Sequence, residues 1–372
     1  MPLFARLLKE SYEARGHEVT VWVPKPIVHR FVAGTSLAKW AGYFDQYLLF
    51  PQWVRRALKT TSADTLFVFC DQALGPWVPL VKDRPHVVHV HDLLALRSAL
   101  GDVTENPTAL TGRIYQRYIR RGFQRARHFI SVSNKSRHDL HRFGGVSPQI
   151  SEVVLNGLNY PFAPIAAAEA RGILLAAGLP AADQGMVLHV GGGAWYKNLV
   201  GVLLAYANYA ARNSDAIPLW CVTHEPNAAA KAALESVPPN GRVVFLRNLD
   251  SRTLQAAYSH ARVMLFPSLE EGFGWPLIEA QACGCPVITT DEPPMNEVGG
   301  PAARYLPRLR AGCDAGAWAA QGGALLTEIV AQSAEERAAL SRRACEWAQH
   351  FDAANAIDQY LTIYRRVLDE AL

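Results

Sequence analysis

Short runs of β-branched and apolar residues alternate with longer segments of helical period along nearly the whole chain. This alternation is typical of parallel strands joined by helical crossovers. We therefore expect an α/β fold in which parallel sheets are wrapped by helices. The predicted strands are 18–23, 65–69, 86–89, 128–131, 152–155, 186–190, 219–222, 243–246, 263–266 and 287–289. The principal predicted helices are 3–15, 109–125, 136–143, 197–212, 227–235, 250–260 and 276–282.

The chain is long enough for two domains, since 372 residues exceed what one ordinary core holds. Two prolines in the irregular stretch 159–164 suit a hinge between them. The chain is nearly all helical beyond residue 334, and an apolar stripe follows 353–372, so this last segment must cover an apolar surface. The simplest interpretation is a terminal helix on its own domain.

Charge is unevenly divided between the two halves of the chain. Residues 1–165 carry 21 Lys and Arg against 12 Asp and Glu, whereas the remainder carries 16 against 21. The basic half should favour an anionic partner. The sequence contains no stretch of roughly 20 uncharged apolar residues and no signal-peptide pattern at its start, so we expect a cytoplasmic protein.

The most informative segment is 266–288, where a predicted strand, a glycine-rich turn and a helix follow one another. Glu271 falls in the turn and Glu279 on the helix, and Pro276 suits the helix start. A helix start offers free N–H groups to phosphate or sugar oxygens, and Gly272 and Gly274 allow close backbone approach. The alternative is an ordinary strand, loop and helix with a solvated acidic turn.

A second segment, 186–199, runs from a buried strand into glycines and then a helix, which is the geometry of a phosphate-binding turn. Gly192, Gly193 and Lys197 lie in this turn. A nicotinamide-binding fingerprint is the competing hypothesis, but it requires glycine where Tyr196 stands.

Three histidines lie close together in the predicted strand 86–89 and just after it. A zinc site is disfavoured because no Cys or acidic cluster lies nearby to complete four ligands. We expect His86 and His89 to pack in or beside the sheet, whereas His91 and Asp92 lie at its carboxyl edge.

The predicted helix 109–125 carries arginines interleaved with apolar residues, among them Arg113, Arg117, Arg120 and Arg121. A solvated basic face is one explanation. An anionic membrane surface or a lipid-pyrophosphate acceptor is another, since an amphipathic basic helix suits both. Nucleic acid would use the same charges, but we recognise no module for it and expect none as a partner.

Segment 266–288 closely resembles the signature of the family-4 glycosyltransferases, including the E-x7-E pair formed by Glu271 and Glu279. Weaker similarities at 15–19, 130–140, 153–157 and 296–298 extend the resemblance over nearly the whole chain. It implies the GT-B fold, in which two Rossmann-like domains face each other across a cleft. The implied division is 1–160 on the acceptor side and 161–350 on the donor side, with 351–372 packing back on the first domain.

The resemblance also implies roles for particular residues. The residue matching Glu279 accepts hydrogen bonds from the ribose, Glu271 contacts the hydroxyls of the transferred sugar, and Lys197 holds the donor diphosphate. His91 matches a histidine that approaches sugar and acceptor. The implied catalytic residues are His91, Glu271 and Lys197, and the implied donor-binding residues are Gly192, Gly193, Lys197, Glu271, Gly272, Phe273, Gly274, Trp275, Leu277 and Glu279.

The implied function is retaining, metal-independent transfer of a hexose from a nucleotide-diphosphate sugar, with no further cofactor. The sequence lacks the Asp-x-Asp motif that would hold a metal. Residues 195–198 are similar to those of mannosyl-transferring relatives and favour GDP-mannose. The expected acceptor is a glycan or a polyprenyl-pyrophosphate-linked glycan in bacterial surface polysaccharide or lipopolysaccharide synthesis, at the inner face of the plasma membrane. The alternatives are a GT-B epimerase or phosphorylase, and a catalytically inactive scaffold.

One feature departs from the resembled family, whose members begin with a strand and a glycine-rich loop that touches donor phosphate and acceptor. Here Met1-Pro-Leu3 enters at the first helix. We expect either a start set too far downstream or a truncated form, because a lost strand exposes sheet edge and removes ligand contacts.

Overall fold

The computed structural model describes residues 2–370 and contains two parallel β-sheets wrapped by helices. The predicted α/β architecture of two Rossmann-like domains is therefore confirmed. Residues 371–372 of the predicted terminal helix lie outside the described range, as does Met1.

The first sheet has four parallel strands in the order β1-β2-β3-β4. The strands are β1 (Phe67–Phe69), β2 (His86–Val90), β3 (His128–Ser131) and β4 (Ile150–Val153). Every residue of β2 and β3 is buried, which explains their unbroken apolar and histidine-containing sequences.

Helices of this first half flank the sheet and extend beyond it. They are α1 (Pro2–Glu13), α2 (His29–Val32), α3 (Ala38–Phe44), α4 (Phe50–Ala57), α5 (Leu94–Leu100), α6 (Leu110–Phe123) and α7 (Asn134–Asp139). A 3₁₀-helix occupies Gln72–Leu80, and single π-helical turns occupy Asp45–Leu49 and Leu140–Gly144.

The predicted strand 18–23 is wrong, because this segment is irregular and pairs with none of the described strands. Its sequence alternates as a strand would, yet Val21 and Val23 remain about half exposed. An extended segment becomes a strand only when a neighbour satisfies its backbone groups, and alternation by itself supplies no neighbour. Trp22 packs instead on Trp53 and on Phe67 of β1.

The second sheet has six parallel strands in the order β10-β9-β8-β5-β6-β7. They are β5 (Val187–Val190), β6 (Leu219–Val222), β7 (Val243–Leu246), β8 (Val263–Phe266), β9 (Val287–Thr290) and β10 (Ala303–Leu306). Five were predicted, and the edge strand β10 was not. The chain winds outward from β5 to β7 and then returns to β8 on the other side of β5. The topological switch point therefore lies between β5 and β8.

Polar side chains begin most helices of the second half. Asp250 accepts a hydrogen bond from the backbone of Thr253, and Ser333 forms a capping box with Glu336. These helices are α8 (Ala167–Ala176), α9 (Leu199–Arg212), α10 (Ala228–Leu234), α11 (Ser251–His260), α12 (Trp275–Ala282), α13 (Met295–Gly299), α14 (Ala315–Val330), α15 (Ala334–Ala348) and α16 (Ala353–Asp369). Short 3₁₀ turns lie at Trp195–Lys197, Gly300–Ala302 and Gln349–Phe351.

The last helix, α16, leaves the second sheet and packs on the first. Its apolar stripe, including Ile357, Tyr360 and Val367, is buried in one core with Phe4 of α1 and Val87 of β2. The chain thus passes twice between the two sheets, and the passages touch where Leu158 N–H donates to the carbonyl of Phe351 over 2.9 Å. Among the described residues, no helix has the length and apolarity to cross a bilayer.

Candidate functional site

The switch point of the second sheet brings together Lys197 and Glu271. Lys197 lies in the turn after β5, and Glu271 lies in the loop after β8. Lys197 Nζ donates to Glu271 Oε1 over 2.6 Å, and the two side chains are only 14% and 9% exposed, respectively. The carboxyl edge of an open parallel sheet at its switch point is where such folds bind ligands. The two residues predicted to hold diphosphate and sugar therefore meet at that position.

Local hydrogen bonds fix the turn that carries Lys197. Asn198 adopts a left-handed conformation, with φ of 55°, and its side chain caps α9 by accepting from Gly201 N–H. The same side chain donates to the Pro267 carbonyl over 3.0 Å, and Leu269 N–H donates to the Tyr196 carbonyl over 2.7 Å. These bonds join the turn to the loop of Glu271.

Gly192 and Gly193 lie at the tip of this turn. Gly193 has φ of 77°, and a Cβ there would come within 3.0 Å of His224. Gly192 faces open space, with nothing within 4 Å of a built Cβ. A ligand can therefore approach the backbone at Gly192 closely.

Glu271 is held from two sides but is not fully compensated. Ser268 Oγ donates to Oε1 over 2.9 Å, beside the bond from Lys197. Burial nevertheless raises the pKa of Glu271 above its usual value, and Lys197 and Ser268 only partly offset that rise. A ligand hydroxyl at the carboxylate would supply the missing hydrogen bonding.

Glu279 lies in α12. Gly274 is the N-cap of this helix and has φ of 101°. Glu279 Oε2 accepts a hydrogen bond from the buried Tyr258 of α11 over 3.0 Å. Burial raises the pKa of Glu279 to about 7, although Tyr258 and Lys197 lower it. Glu279 is thus a poorly solvated acceptor that titrates near neutrality.

Three other predicted donor-site residues contribute differently. The side chains of Phe273 and Leu277 are buried in the core of the second domain, so only their backbones can face a ligand. The Phe273 ring lies 5.6 Å from Trp275 and 6.0 Å from Phe351. Trp275 is partly exposed and packs against the same core.

Gly272 is where the two domains come closest beside the site. A Cβ at this position would overlap the carbonyl of His91, and Ser133 Oγ donates to the Gly272 carbonyl over 2.7 Å. Ser136 Oγ donates to the His91 carbonyl over 2.9 Å. The loop after β8 therefore abuts the carboxyl edge of β2 across the cleft, and only glycine fits at the contact.

The ring of His91 is held within its own domain. Its Nε2–H donates to the Cys70 carbonyl over 2.9 Å, and Phe4 packs edge-on at 4.8 Å. Burial lowers the pKa of His91, which favours a neutral ring. Asp92 beside it is partly exposed, and desolvation raises its pKa. The Asp92 charge also raises the pKa of Glu271, so Asp92 belongs with the site although it was not among the predicted residues.

Glu270 anchors a set of ion pairs between the domains, which we call the interdomain ion-pair network. Arg97 of α5 donates to both Glu270 oxygens, at 2.8 and 3.3 Å. Lys135 of α7 lies 3.2 Å from the same carboxylate, and Arg308 bridges Glu270 to Glu105. The cations lower the pKa of Glu270 despite its burial. A cavity of about 830 Å³ opens beside this network.

Sequence reasoning missed the network and Tyr258, and it placed Asp92 at the carboxyl edge of the strand without giving it a role in the site. Glu270 lies inside segment 266–288, but none of the neighbouring residues indicates ion-pair partners 135 to 173 positions away in the sequence. The sequence did show a second acidic residue next to Glu271. Its role depends on which domain each carboxylate faces, and the sequence alone does not show that.

The arginines of α6 are not equivalent. Arg113, Arg117 and Arg121 are exposed, whereas Arg120 is partly buried and donates from Nε to the Gly144 carbonyl over 3.0 Å. Arg120 therefore closes the end of the neighbouring π-helical turn. Arg113 donates from Nε to the Thr108 carbonyl over 2.9 Å, and Arg117 and Arg121 are exposed.

The histidines of β2 are buried as predicted, and His89 Nε2 bonds the Tyr364 hydroxyl of α16 over 2.6 Å. Within residues 2–370, no three His, Cys, Asp or Glu side chains come together as metal ligands would.

Two family profiles match the chain in succession. Residues 3–160 match the Glycosyltransferase Family 4 profile, and residues 175–306 match the profile of Glycosyl transferases group 1. The O-antigen chain mannosyltransferase RfbU of Salmonella typhimurium is 44% identical over 57 residues, 15% of this chain and 16% of its own. The O-antigen chain mannosyltransferase B of Escherichia coli is 30% identical over 121 residues, 32% of each chain. The alignments thus span about a third or less of these curated relatives.

Solved structures share the fold over almost the whole length. WaaG, a glycosyltransferase involved in lipopolysaccharide biosynthesis, superposes with a TM-score of 0.65 at 18% identity, covering 96% of this chain and 94% of its own. Anabaena HepE, solved in complex with UDP and glucose, gives a TM-score of 0.64 at 17% identity, with coverage of 95% and 88%. At these identities the similarity concerns the fold.

Proposed function

The chain belongs to the family-4 glycosyltransferases, and on that premise we propose that it transfers a hexose from a nucleotide-diphosphate sugar with retention of anomeric configuration. The observation that carries the proposal is the buried Lys197–Glu271 pair at the switch point of the second sheet. A cation and an acceptor placed together there fit the diphosphate and the sugar of one ligand.

Donor binding exchanges the partners of this pair. Lys197 Nζ leaves Glu271 for the diphosphate, and the backbone at Gly192 and Gly193 approaches the same group. Glu271 then accepts from sugar hydroxyls. Glu279 accepts from the ribose through Oε1, since Oε2 is held by Tyr258. Each buried polar group thereby keeps a partner in both states.

In the transfer step, the bond between the anomeric carbon and the diphosphate oxygen breaks as the acceptor oxygen bonds to that carbon on the same face. The acceptor proton passes to the departing diphosphate oxygen, so the charges balance. Lys197 stabilises the charge that develops on the leaving group. His91 and Asp92 line the opposite wall of the cleft, where the acceptor approaches. The reaction as proposed needs no metal and no further cofactor.

Mannose is the proposed sugar and GDP-mannose the proposed donor. Support comes from residues 195–198, which are similar to those of mannosyl-transferring relatives, and from the two O-antigen chain mannosyltransferases among the curated relatives. The proposed acceptor is a glycan or a polyprenyl-pyrophosphate-linked glycan in bacterial surface polysaccharide synthesis. WaaG, of the same fold, acts in lipopolysaccharide biosynthesis.

The proposed location is cytoplasmic, with peripheral contact at the inner face of the plasma membrane. On α6, exposed Leu110 and Ile114 lie beside exposed Arg113, Arg117 and Arg121. Apolar and cationic groups on one exposed surface suit an anionic bilayer. Replacing Arg117 and Arg121 by Ala should weaken binding to phosphatidylglycerol vesicles by about 1 kcal/mol per residue. Equal sedimentation of both proteins with anionic vesicles would exclude this surface.

The test of the function is calorimetric titration of the chain with GDP-mannose, UDP-glucose and their nucleoside diphosphates, followed by NMR of the product formed on a polyprenyl-pyrophosphate acceptor. We expect binding of one donor and a product with the donor's anomeric configuration. An inverted product would contradict retention. Donor binding without any product would favour the inactive scaffold, and free epimerised or phosphorylated sugar would favour the epimerase or phosphorylase.

A further inference from the structure

We propose that Tyr258 is a positioning residue for the nucleotide: it holds one oxygen of Glu279 and thereby presents the other to the ligand. The proposal rests on the nucleotide-binding function proposed for Glu279. The Tyr258 hydroxyl donates to Glu279 Oε2 over 3.0 Å. The tyrosine is fully buried and Glu279 is only 9% exposed, so bulk water is a poor substitute for this bond.

Contacts on both sides fix Tyr258 within α11. The Phe162 ring packs edge-on against it at 5.9 Å. One turn before Tyr258, Gln255 Nε2 donates to the Ala163 carbonyl over 2.8 Å. Directly after Tyr258, Ser259 Oγ accepts from Ile165 N–H over 3.1 Å. The linker between the domains thus rests on the helix that supplies Tyr258, and the hydroxyl has a fixed position before any ligand arrives.

A purely structural role is the competing explanation, in which Tyr258 only fills the core. The Tyr258→Phe variant separates the two, because it keeps the ring and removes the hydroxyl. Tyr209→Phe is the matched control. Tyr209 is equally buried in the same domain, on α9, and its hydroxyl accepts from Ile217 N–H over 3.3 Å, away from Glu279.

The hydroxyl also affects the charge state of Glu279. Burial raises the pKa of this carboxyl to about 7. The titratable groups that act on it or sense it are Tyr258 from α11, Lys197 from the turn after β5, and Cys283 at the end of α12. Tyr258 and Lys197 lower the pKa, so losing the hydroxyl raises it further. The protonated carboxyl accepts hydrogen bonds less well.

The experiment is calorimetric titration of GDP and of UDP into wild type, Tyr258→Phe and Tyr209→Phe between pH 6 and pH 9. We expect Tyr258→Phe to bind about tenfold more weakly at pH 7 and to keep a smaller deficit at pH 9, where the charge state of Glu279 no longer separates the two proteins but its position still does. Tyr209→Phe should follow wild type throughout. A Tyr258→Phe profile that coincides with wild type overturns the inference alone. A wild-type chain that binds neither nucleotide overturns the proposed function, and the inference with it.

Thermal unfolding without ligand gives a second measurement on the same proteins. The pH dependence of Tm should show an inflection near pH 7 in wild type that moves upward in Tyr258→Phe. An inflection that stays in place overturns the inference, even when nucleotide binding is too weak to measure.

Discussion

Glu270 and Glu271 are adjacent in one loop, yet their surroundings are opposite. Glu270 meets Arg97 and Lys135 of the other domain and Arg308 of its own, and Lys135 and Arg97 lower its pKa despite burial. Glu271 stays in its own domain with Lys197, and burial outweighs that single cation, so its pKa is raised. One carboxylate is fully compensated by protein, and the other is not.

This difference in surroundings predicts a structural role for one of the two residues and a ligand-binding role for the other. A buried carboxylate with several cations stabilises the contact it makes and has little left for a ligand. A buried carboxylate with too few partners carries a cost that a ligand can remove. We therefore expect Glu270 to control how the domains meet and Glu271 to control what binds.

The largest effect should follow from removing the cation on the ligand side. Lys197→Ala deprives the leaving diphosphate of its cationic partner, and transfer should fall by about 10²–10³-fold. Initial rates of sugar transfer measure this loss, with Lys231→Ala, an exposed lysine of α10, as control. Unchanged rates in Lys197→Ala would mean that the pair is structural after all.

Like Glu271, Glu279 should lower the stability of the ligand-free protein and contribute to ligand binding. Its pKa of about 7 lies above the value of a free carboxyl, so its contribution to stability is full below about pH 4.5 and is lost as the pH rises through 7. Glu279→Gln removes that loss. Relative to wild type, the ligand-free variant should gain on the order of 2 kcal/mol between pH 5.5 and pH 8.5. Its nucleotide affinity should fall by about 10–100-fold.

Urea unfolding at several pH values measures the gain, and calorimetry measures the affinity. Equal pH dependence in the two proteins would show that Glu279 is not the group that titrates near neutrality.

On the structural side, Glu270→Gln should lower the free energy of unfolding by about 2 kcal/mol, because three cations lose one acceptor. Glu271→Gln should lower it less, since one cation is affected and a poorly compensated charge disappears. Denaturant unfolding compares the two variants directly. A larger loss in Glu271→Gln would reverse the assignment of the two residues.

Acid should distinguish the pair by sign. The pKa of Glu270 is lowered, so its contribution to stability is full above the ordinary glutamate value and is lost as the pH falls through the lowered pKa. The pKa of Glu271 is raised, so its contribution is present at low pH and lost as the pH rises. The difference in free energy of unfolding between wild type and Glu270→Gln should shrink by about 1 kcal/mol per pH unit as the pH falls through the lowered pKa of Glu270. Below that pKa the difference should vanish. A difference that grows in acid would contradict this.

The smallest effect should come from an exposed pair of the same chemistry. Arg304 and Glu328 are joined at 2.7 Å, but both side chains are about half exposed. Glu328→Gln should change the free energy of unfolding by about 0.5 kcal/mol or less. A loss as large as that of Glu270→Gln would mean that burial does not explain the contrast.

Elements buried on both sides were predictable from the sequence. Strands β6 and β8 lie inside the sheet and have the predicted bounds, because uninterrupted apolar runs fit a covered sheet. The edge strand β7 also has the predicted bounds, although three of its residues are only partly buried. Segment 18–23 has a strand pattern without a strand partner. Helices α2 to α4 were not predicted, and their short, irregular sequence leaves several aromatic residues exposed. A helical period in a sequence arises when one face of the helix is buried, and the burial of α2 to α4 is incomplete.

At the site, the sequence placed Lys197, Glu271 and Glu279 after strands that end at the same sheet edge, and the structure joins Lys197 and Glu271 there. Their roles in binding stay predictions. The partners of Glu270 come from α5, α7 and the segment after β10. Their meeting depends on how the domains are placed, which local sequence does not encode. The Tyr258 hydroxyl was missed for the same reason, since a buried tyrosine in a helix is most often core.

The most direct measurement is a crystal structure of the chain soaked with GDP-mannose or UDP-glucose. We predict that Lys197 Nζ lies within hydrogen-bond distance of a diphosphate oxygen, with Glu271 on the sugar, Glu279 on the ribose and Glu270 still bound to Arg97. A nucleotide sugar bound elsewhere, with Lys197 still joined to Glu271, would contradict it.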